Sequence, residues 1–295
     1  MGAELLKIWS TLSARVLVGV VVVGGGVLLV LAATASALLG RVVDLDRRYP
    51  GLRLTDVDHP RFDEVLALLD VADPGYQRSL VDLVSTGPFG TAGSVGLTTT
   101  CALLVGVLVA AGDLRHGGVA LTALAVPDRL RIVAHKVGAV AVVLGSAGIV
   151  LAVLSAGTLA LAVTGTSGAA LAVTPLEVAG VWCRGIAVLV LLGVLGVGLG
   201  LLVRHLTVAV AAVLVAALVE PVVVVASTLL TGTVPPVVAA LPLSASRLAS
   251  RGTTIDADLG LGVGLAPGVA LAALAAWVVV HLAAGAWRTQ RGDLA

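Results

Sequence analysis

Residues 16–40 read VLVGVVVVGGGVLLVLAATASALLG and decide the fold class, because 25 consecutive positions carry no charged residue. As an α-helix this stretch is roughly 37 Å long, enough to cross the roughly 30 Å hydrocarbon core of a bilayer. A signal peptide cleaved at Ala35-Ser36-Ala37 is the alternative interpretation, but the run is far longer than the roughly 7–15 apolar residues of such a peptide. We therefore interpret it as a first transmembrane helix.

The rest of the chain has the same apolar character. Of its 295 residues 59% are hydrophobic and only 12% are charged, about half of the roughly 25% that is usual in soluble domains. This composition excludes a soluble globular enzyme, a disordered chain and a nucleic-acid-binding protein. The net charge of +1 creates no strong long-range field toward an acidic partner. Cys101 and Cys183 both lie in apolar runs, and we predict no disulfide between them.

Charged residues divide the chain into six apolar segments, each of which predicts a transmembrane helix. The predicted spans are about 16–40, 93–112, 137–164, 181–203, 206–230 and 267–286. The predicted fold is therefore all-α, with residues 1–295 forming a single six-span domain. Arg184 falls in the first turn of the predicted fourth span, from which we expect it to reach outward to the membrane surface.

The distribution of lysine and arginine predicts that both termini are cytoplasmic. In this orientation nine basic residues lie inside, against three in the short outer loops. Residues 1–14 then form a cytoplasmic interfacial helix, and 41–92 and 232–266 are outer loops. Within the first outer loop we predict helices at 60–72 and 74–84, which rest on the outer membrane face as a small helical cap.

The sequence lacks the motifs of common catalytic and nucleotide-binding sites. It contains no Gly-x-x-x-x-Gly-Lys-Ser/Thr and no His-Glu-x-x-His, and its five histidines are scattered without metal-ligand spacing. An intramembrane serine-protease pair of Ser146 and His281 is disfavoured, because serine in an apolar helix usually bonds to its own backbone. We therefore expect a chain that is not an enzyme and that holds no metal.

Two features stand out inside the predicted spans. Glu220, which precedes Pro221, lies in the fifth span, where a carboxylate costs roughly 2.5–3.5 kcal/mol on insertion. It has either a direct transport role or a structural one, satisfying backbone groups freed by Pro221 or lying protonated between helices. Gly196 and Gly200 form a Gly-x-x-x-Gly that permits close helix packing, although with 36 glycines a chance match is the simpler explanation.

The predicted cytoplasmic loop 113–136 is amphipathic, and Gly117-Gly118 permits a sharp bend within it. It is either a solvated loop that fixes topology or a docking element for a cytoplasmic partner. Its motif consists of an acidic residue, a basic residue, His-Gly, and later Pro-x-Arg with a downstream lysine. These residues are Asp113, Arg115, His116, Gly117, Pro127, Arg129 and Lys136.

This motif resembles the permease subunit of type-2 ABC exporters, in particular its actinobacterial members. Asp113 stands where the family more often has glutamate, Gly118 replaces threonine, and loop 41–92 is longer than we expect for the class. Other short motifs add to the resemblance along most of 1–40 and 93–295. They are Arg204-His205 after span four, Glu220-Pro221 in span five, Leu241-Pro242 before span six, and Trp287-Arg288 with Arg291-Gly-Asp293 at the end.

The resemblance implies the membrane half of an ATP-driven exporter in a bacterial plasma membrane. Two copies of the permease would line the path, and two copies of a separate ABC ATPase subunit would bind ATP and Mg²⁺ and dock under loop 113–136 and the N-terminal helix. This chain itself would need no cofactor. Because the spans carry little charge apart from Glu220, we expect a lipophilic or amphipathic substrate. The alternative is a membrane scaffold or sensor without transport activity.

Overall fold

A computed structural model of the chain describes residues 2, 4, 6, 8, 11–49, 70–84, 96–115, 129–166, 169–251 and 265–291. All regular structure within these ranges is helical, which confirms the all-α prediction for them. A π-helical turn, Val20–Gly24, joins the first two helices. The helices are α1 (Leu12–Gly19), α2 (Gly25–Arg48), α3 (Pro74–Val81), α4 (Leu97–Arg115), α5 (Arg129–Gly165), α6 (Pro175–Val203), α7 (Leu206–Thr231), α8 (Pro236–Ala239), α9 (Pro242–Arg251) and α10 (Pro267–Arg291).

Within the described residues, five helical segments are long and apolar enough to cross a membrane, so the chain is a multi-pass membrane protein. They correspond to predicted spans one, three, four, five and six, and are Leu12–Ala35, Leu130–Gly165, Pro175–Val203, Leu206–Thr231 and Pro267–Arg291. The first of them comprises α1, the π-helical turn and the start of α2. Helix α2 continues beyond this segment to Arg48, so the charged residues after Gly40 do not end it.

The predicted second span, 93–112, falls on α4, whose apolar part Leu97–Gly112 is shorter than the other five. At 1.5 Å per residue this part is roughly 24 Å long, less than the hydrocarbon thickness. Ala102, Val105 and Ala110 of α4 are fully buried, so protein rather than lipid surrounds much of this helix. A sixth crossing therefore stays a prediction.

Helix α6 begins earlier than predicted, at Pro175 instead of 181. Thr174 forms a capping box, in which its side chain accepts from the Glu177 amide at 3.3 Å and the Glu177 carboxylate accepts from the Thr174 amide at 2.9 Å. Proline at the first helical position has a backbone already suited to a helix start. Arg184 consequently lies in the third turn of α6, and its placement in a first turn was wrong.

Helix α3 confirms the prediction of a helix that starts at Pro74, but its position differs from the prediction. Asp73 caps it by accepting from the Tyr76 amide at 2.8 Å. Tyr76 and Leu80 are buried, and the Tyr76 hydroxyl donates to the Ala32 carbonyl at 3.0 Å. The helix therefore packs into the bundle against α2, α5 and α6 instead of resting on its surface.

The fully buried amide of Gln77 fixes α3 to the segment between α5 and α6. Its Nε2 donates to the carbonyls of Val71 and Ala170, both at 2.8 Å. Its Oε1 accepts from the amides of Ala172 at 2.8 Å and Val173 at 3.3 Å. The other predicted helix of this loop, 60–72, lies outside the described residues except for 70–72, which form a turn.

Helices α4 and α6 form the centre of the bundle, and glycines let their backbones approach closely. A Cβ atom built on Gly106 would lie 1.9 Å from the Gly193 carbonyl oxygen, and one on Gly196 would lie 2.1 Å from the Leu103 oxygen. A Cβ on Gly200 would lie 2.8 Å from the Cβ of Ala110. The close packing that the Gly-x-x-x-Gly permits is confirmed, and its interpretation as a chance match was wrong.

The N-terminal segment is divided differently from the predicted 1–14 helix. Residues 2, 4, 6 and 8 are helical, but Thr11 has an extended backbone, and Leu12 begins the first membrane-spanning helix. Residues 12–14 thus belong to α1. Glu4 and Ile8 are buried, so this segment is packed against the bundle at the end near Lys136, which we call the Lys136 end. The opposite end, where α3 is followed by Asp82, is called the Asp82 end.

Candidate functional site

The short helix α9 lies between two carboxylates, which bind its opposite ends. It packs against α10, α6 and α7, and one of its faces is buried, formed by Leu243, Ala245, Ser246, Ala249 and Ser250. The chain just before it is also fixed, because the Trp277 indole donates to the Ala240 carbonyl at 2.9 Å. The predicted outer loop 232–266 therefore contains two helices, α8 and α9, within its described part.

Glu220 binds the N-terminus of α9. It is 6% exposed, and its carboxylate accepts from the Leu243 amide at 3.2 Å and from the Ser244 amide at 2.5 Å. The first amides of a helix lack partners within the helix and lie at the positive end of its dipole, so a carboxylate stabilises them. Glu220 is near the middle of α7, and this contact brings the start of α9 to the same depth in the bundle.

Glu220 has a structural role, but its partners lie on α9 and not beside Pro221 in α7. Pro221 has no amide and leaves a carbonyl of the preceding turn without a donor. An ionised carboxylate only accepts hydrogen bonds and cannot satisfy a carbonyl. In the structure its partners are the free amides of α9, 23 and 24 residues further along the chain.

Asp82 binds the C-terminus of α9 and was missed in the sequence. It is fully buried, accepts from the Ser250 hydroxyl at 2.6 Å, and pairs with the Arg251 Nε at 2.9 Å. It also accepts from the Val84 amide at 3.0 Å. A single carboxylate between Val81 and Leu83 was the available signal, because burial of its neighbours would place it inside the bundle.

Arg184 also contacts this end of α9. Its Nε donates to the Ser250 carbonyl at 3.4 Å, a long hydrogen bond. Arg184 is half-buried, and the expectation that it reaches outward to the membrane surface stays a prediction. Helix α9 is joined to α6, α7 and the turn after α3 by polar contacts of Arg184, Glu220 and Asp82.

At the other end of the bundle, Lys136 joins three segments. Its side chain is 1% exposed, and the ammonium group donates to the Val109 carbonyl of α4 at 3.1 Å. It also lies 3.7 Å from the Glu4 carboxylate of the N-terminal segment. Lys136 therefore joins the start of α5 to the central helix α4 and to the N-terminal segment.

The other residues of the motif in loop 113–136, which the resemblance assigns to docking of the ATPase, are only partly covered by the structure. Asp113 and Arg115 lie in the last turn of α4, and Arg129 is the first residue of α5. His116, Gly117 and Pro127 lie outside the described residues. Of the seven residues, the structure therefore describes side-chain contacts for Lys136 alone.

Two motifs that the sequence placed 84 residues apart meet at the Lys136 end. Arg204 ends α6 in the left-handed conformation, with φ of 59°, and donates to the Arg288 carbonyl of α10 at 2.8 Å. Arg288 in turn donates to the Leu202 carbonyl. These reciprocal contacts fix the junction of α6 and α7 against α10.

The structure does not bring Ser146 and His281 together as a catalytic pair. Ser146 donates to the Val143 carbonyl of its own helix at 2.8 Å, and His281 lies 2.9 Å from the Trp277 carbonyl of its own helix. Cys101 and Cys183 are free. Among the described residues, no group of three His, Cys, Asp or Glu side chains has an arrangement that could hold a metal ion.

Comparisons of the chain with protein-family models, with curated proteins and with solved structures find no match. What can be said about its function therefore depends on the residues themselves and on their arrangement.

Proposed function

We propose that the chain is the permease subunit of an ATP-driven ABC exporter in a bacterial plasma membrane. In this proposal a second permease copy completes the translocation path, and two copies of a separate ABC ATPase subunit bind ATP and Mg²⁺. The ATPase subunits dock on loop 113–136 at the Lys136 end, which is cytoplasmic. The chain itself catalyses no reaction, and the substrate is lipophilic or amphipathic.

The contact of Lys136 with Val109 and Glu4 is the observation that supports this proposal most strongly. Docking at loop 113–136 would act on the end of α4 and the start of α5, which this lysine joins at 3.1 Å. Because α4 packs against α6 in the centre of the bundle, a displacement there would change the packing of these two central helices. Two alternative packings biased by nucleotide are a sufficient mechanism for alternating access.

The position of α9 bears on the end of the bundle at which the translocation path opens. Glu220 and Asp82 hold this helix in the half of the bundle opposite to the proposed ATPase. With α9 fixed at both ends, the Asp82 end is the more constrained half in this structure. We infer that the Asp82 end is the exit side and that α9 has to shift for substrate to leave.

The experiment compares ATP hydrolysis and export in vesicles that contain the permease and its ATPase. The variants Gly117→Pro and Arg129→Glu alter the proposed docking loop, and Gly157→Ala serves as the control, since a methyl group there meets no atom within 4 Å. The proposal expects both loop variants to lose the stimulation of ATP hydrolysis by the permease, while the control keeps it. Unchanged stimulation and export in both loop variants would exclude loop 113–136 as the docking site. If the unaltered chain neither stimulates ATP hydrolysis nor exports, the scaffold or sensor alternative is favoured.

A further inference from the structure

A cleft at the Asp82 end gathers three arginine side chains from three different parts of the chain. It has a volume of about 360 Å³ and lies between α3, α6, α9 and the start of α10. Its charged lining residues are Arg78, Arg184, Arg251 and Glu177, and its apolar lining includes Leu176, Val181 and Pro267. Such a volume is at the lower end of the range of small-molecule sites, roughly 300–1,000 Å³.

The positive charge of this cleft is only partly neutralised. Arg251 pairs with buried Asp82 at 2.9 Å, and Arg78 pairs with Glu177 at 3.3 Å. Within the ranges that the structure describes, Arg184 has no carboxylate within 4 Å, and its one polar contact is the Ser250 carbonyl. Among the described residues, the cleft therefore has one guanidinium more than the carboxylates that pair with its arginines.

The position of Arg184 along α6 indicates that its charge needs an anionic partner. The residue lies nine positions after Pro175, roughly 13 Å along the axis of α6. A charged side chain inside a membrane protein is rarely left without a partner or a functional role. The planar fork of a guanidinium matches the oxygens of a phosphate or carboxylate, which are therefore the groups that would complete this cleft.

The rim of the cleft is apolar and indicates what kind of group would accompany the anionic head of a ligand. Leu176 is 84% exposed and stands beside the charged groups at the start of α6. Pro267 lies on the opposite rim, at the start of α10. A ligand with an anionic head and an apolar tail would place its head between the arginines and its tail along this rim.

We propose that the cleft binds the anionic headgroup of an amphiphile, with its phosphate or carboxylate on Arg184 and its acyl chain along Leu176. This site does not depend on transport, so it would exist in an exporter subunit and in a scaffold protein alike. A free phosphate carries the same head chemistry without the tail, which allows the two sources to be distinguished.

The test is native mass spectrometry of the purified full chain in detergent with added phosphatidylglycerol or phosphatidylcholine. We expect retention of phosphatidylglycerol over phosphatidylcholine by about tenfold, and a loss of most of this preference in Arg184→Gln, as for one lost charge-assisted contact. Arg15→Gln is the matched control, because Arg15 is an exposed arginine at the other end of the bundle. It should retain the wild-type preference.

Two further experiments test the proposal if Arg184→Gln folds poorly. Leu176→Asn changes an exposed residue and should weaken phosphatidylglycerol retention by about threefold through the lost apolar contact. Inorganic phosphate should not displace the lipid. Equal retention of both lipids, wild-type retention by Arg184→Gln and Leu176→Asn, or displacement by inorganic phosphate would overturn the proposal.

Discussion

Asp82 and Arg251 form an ion pair of 2.9 Å between residues 169 positions apart in the sequence. Asp82 is fully buried, and the Arg251 side chain is 13% exposed. The pair joins the turn after α3 to the end of α9, so a loop early in the chain holds a helix that precedes the last span. Helix α9 thus depends on two carboxylates that come from different parts of the chain.

Replacing Asp82 by alanine should destabilise the protein by about 3–5 kcal/mol, because it removes the buried carboxylate that pairs with Arg251 and accepts from the Ser250 hydroxyl. The measurement is thermal unfolding in detergent micelles. Glu177→Gln is the control, since it removes an exposed ion pair, and glutamine preserves the capping box. If Asp82→Ala unfolds at the same temperature as this control, the ion pair does not hold α9 in place.

A double replacement tests whether Asp82 and Arg251 act on each other. Asp82→Leu with Arg251→Met removes both charges of the pair together. We expect the double variant to be more stable than the sum of the two single effects by about 1–3 kcal/mol. Additive single effects would mean that the two side chains stabilise the protein independently.

Glu220→Gln should loosen the start of α9. The amide side chain offers one oxygen in place of two, so the Leu243 or the Ser244 amide loses its acceptor, at a cost of about 1–3 kcal/mol. Hydrogen exchange of these two amides should accelerate by about tenfold or more. The same exchange in Ser227→Ala, which alters a hydroxyl bonded to its own helix α7, should match the wild type. Wild-type exchange in Glu220→Gln would contradict the capping role.

The same Glu220→Gln substitution should also impair export or assembly of the complex, since α9 would no longer have a fixed position. Export in vesicles and the yield of intact complex are the two measurements. Wild-type values for both would remove Glu220 from the mechanism, even if the amides of α9 exchanged faster.

Gly196→Ala should destabilise the centre of the bundle by about 1–3 kcal/mol, because its Cβ would lie 2.1 Å from the Leu103 carbonyl oxygen and the two helices would have to separate. Gly157→Ala is the matched control in another membrane helix, where a Cβ meets nothing within 4 Å. The control should unfold at or above the wild-type temperature. Equal unfolding temperatures for the two variants would show that α4 and α6 do not need this approach.

Lys136→Met should uncouple ATP hydrolysis from export, because α5 would lose its contacts with Val109 and Glu4. We expect export to fall by about tenfold or more, with ATPase subunits still bound through the loop. Gly157→Ala, in the same helix but outside the proposed docking loop and with nothing within 4 Å of an added Cβ, should export normally. Normal export by Lys136→Met, or an equal loss in Gly157→Ala, would exclude Lys136 as a coupling contact.

The sequence predicted the helices well where local signals decide them. Long uncharged runs located the five long spans, and Pro74 marked the start of α3. The apolar part of α4, Leu97–Gly112, is shorter than the predicted span 93–112. The surroundings of a helix decide how much of it must be apolar. A helix enclosed by protein, as Ala102 and Val105 show, does not need to match the lipid thickness. The start of α6 was placed too late, since the Thr174–Glu177 capping box lies before the uncharged run that was used as the boundary.

The candidate site was predicted only where one residue alone was unusual. Glu220 was singled out by the cost of a carboxylate in a span, but its partners at Leu243 and Ser244 could not be predicted from that cost. Gln77 lies in a polar loop, where its residue type is not unusual. The apolar neighbours of Asp82 indicated its burial, but its partners Ser250 and Arg251 on α9 could not be predicted from them.

The most direct test of the exporter proposal is to purify the tagged chain from its native membrane in mild detergent and to identify stoichiometric partners by mass spectrometry. The proposal predicts an ABC ATPase subunit at one copy per permease chain. Its binding should weaken in Arg129→Glu and persist in Gly157→Ala. Recovery of the chain alone, or with partners that have no ATPase among them, would contradict the proposal and favour a membrane scaffold or sensor.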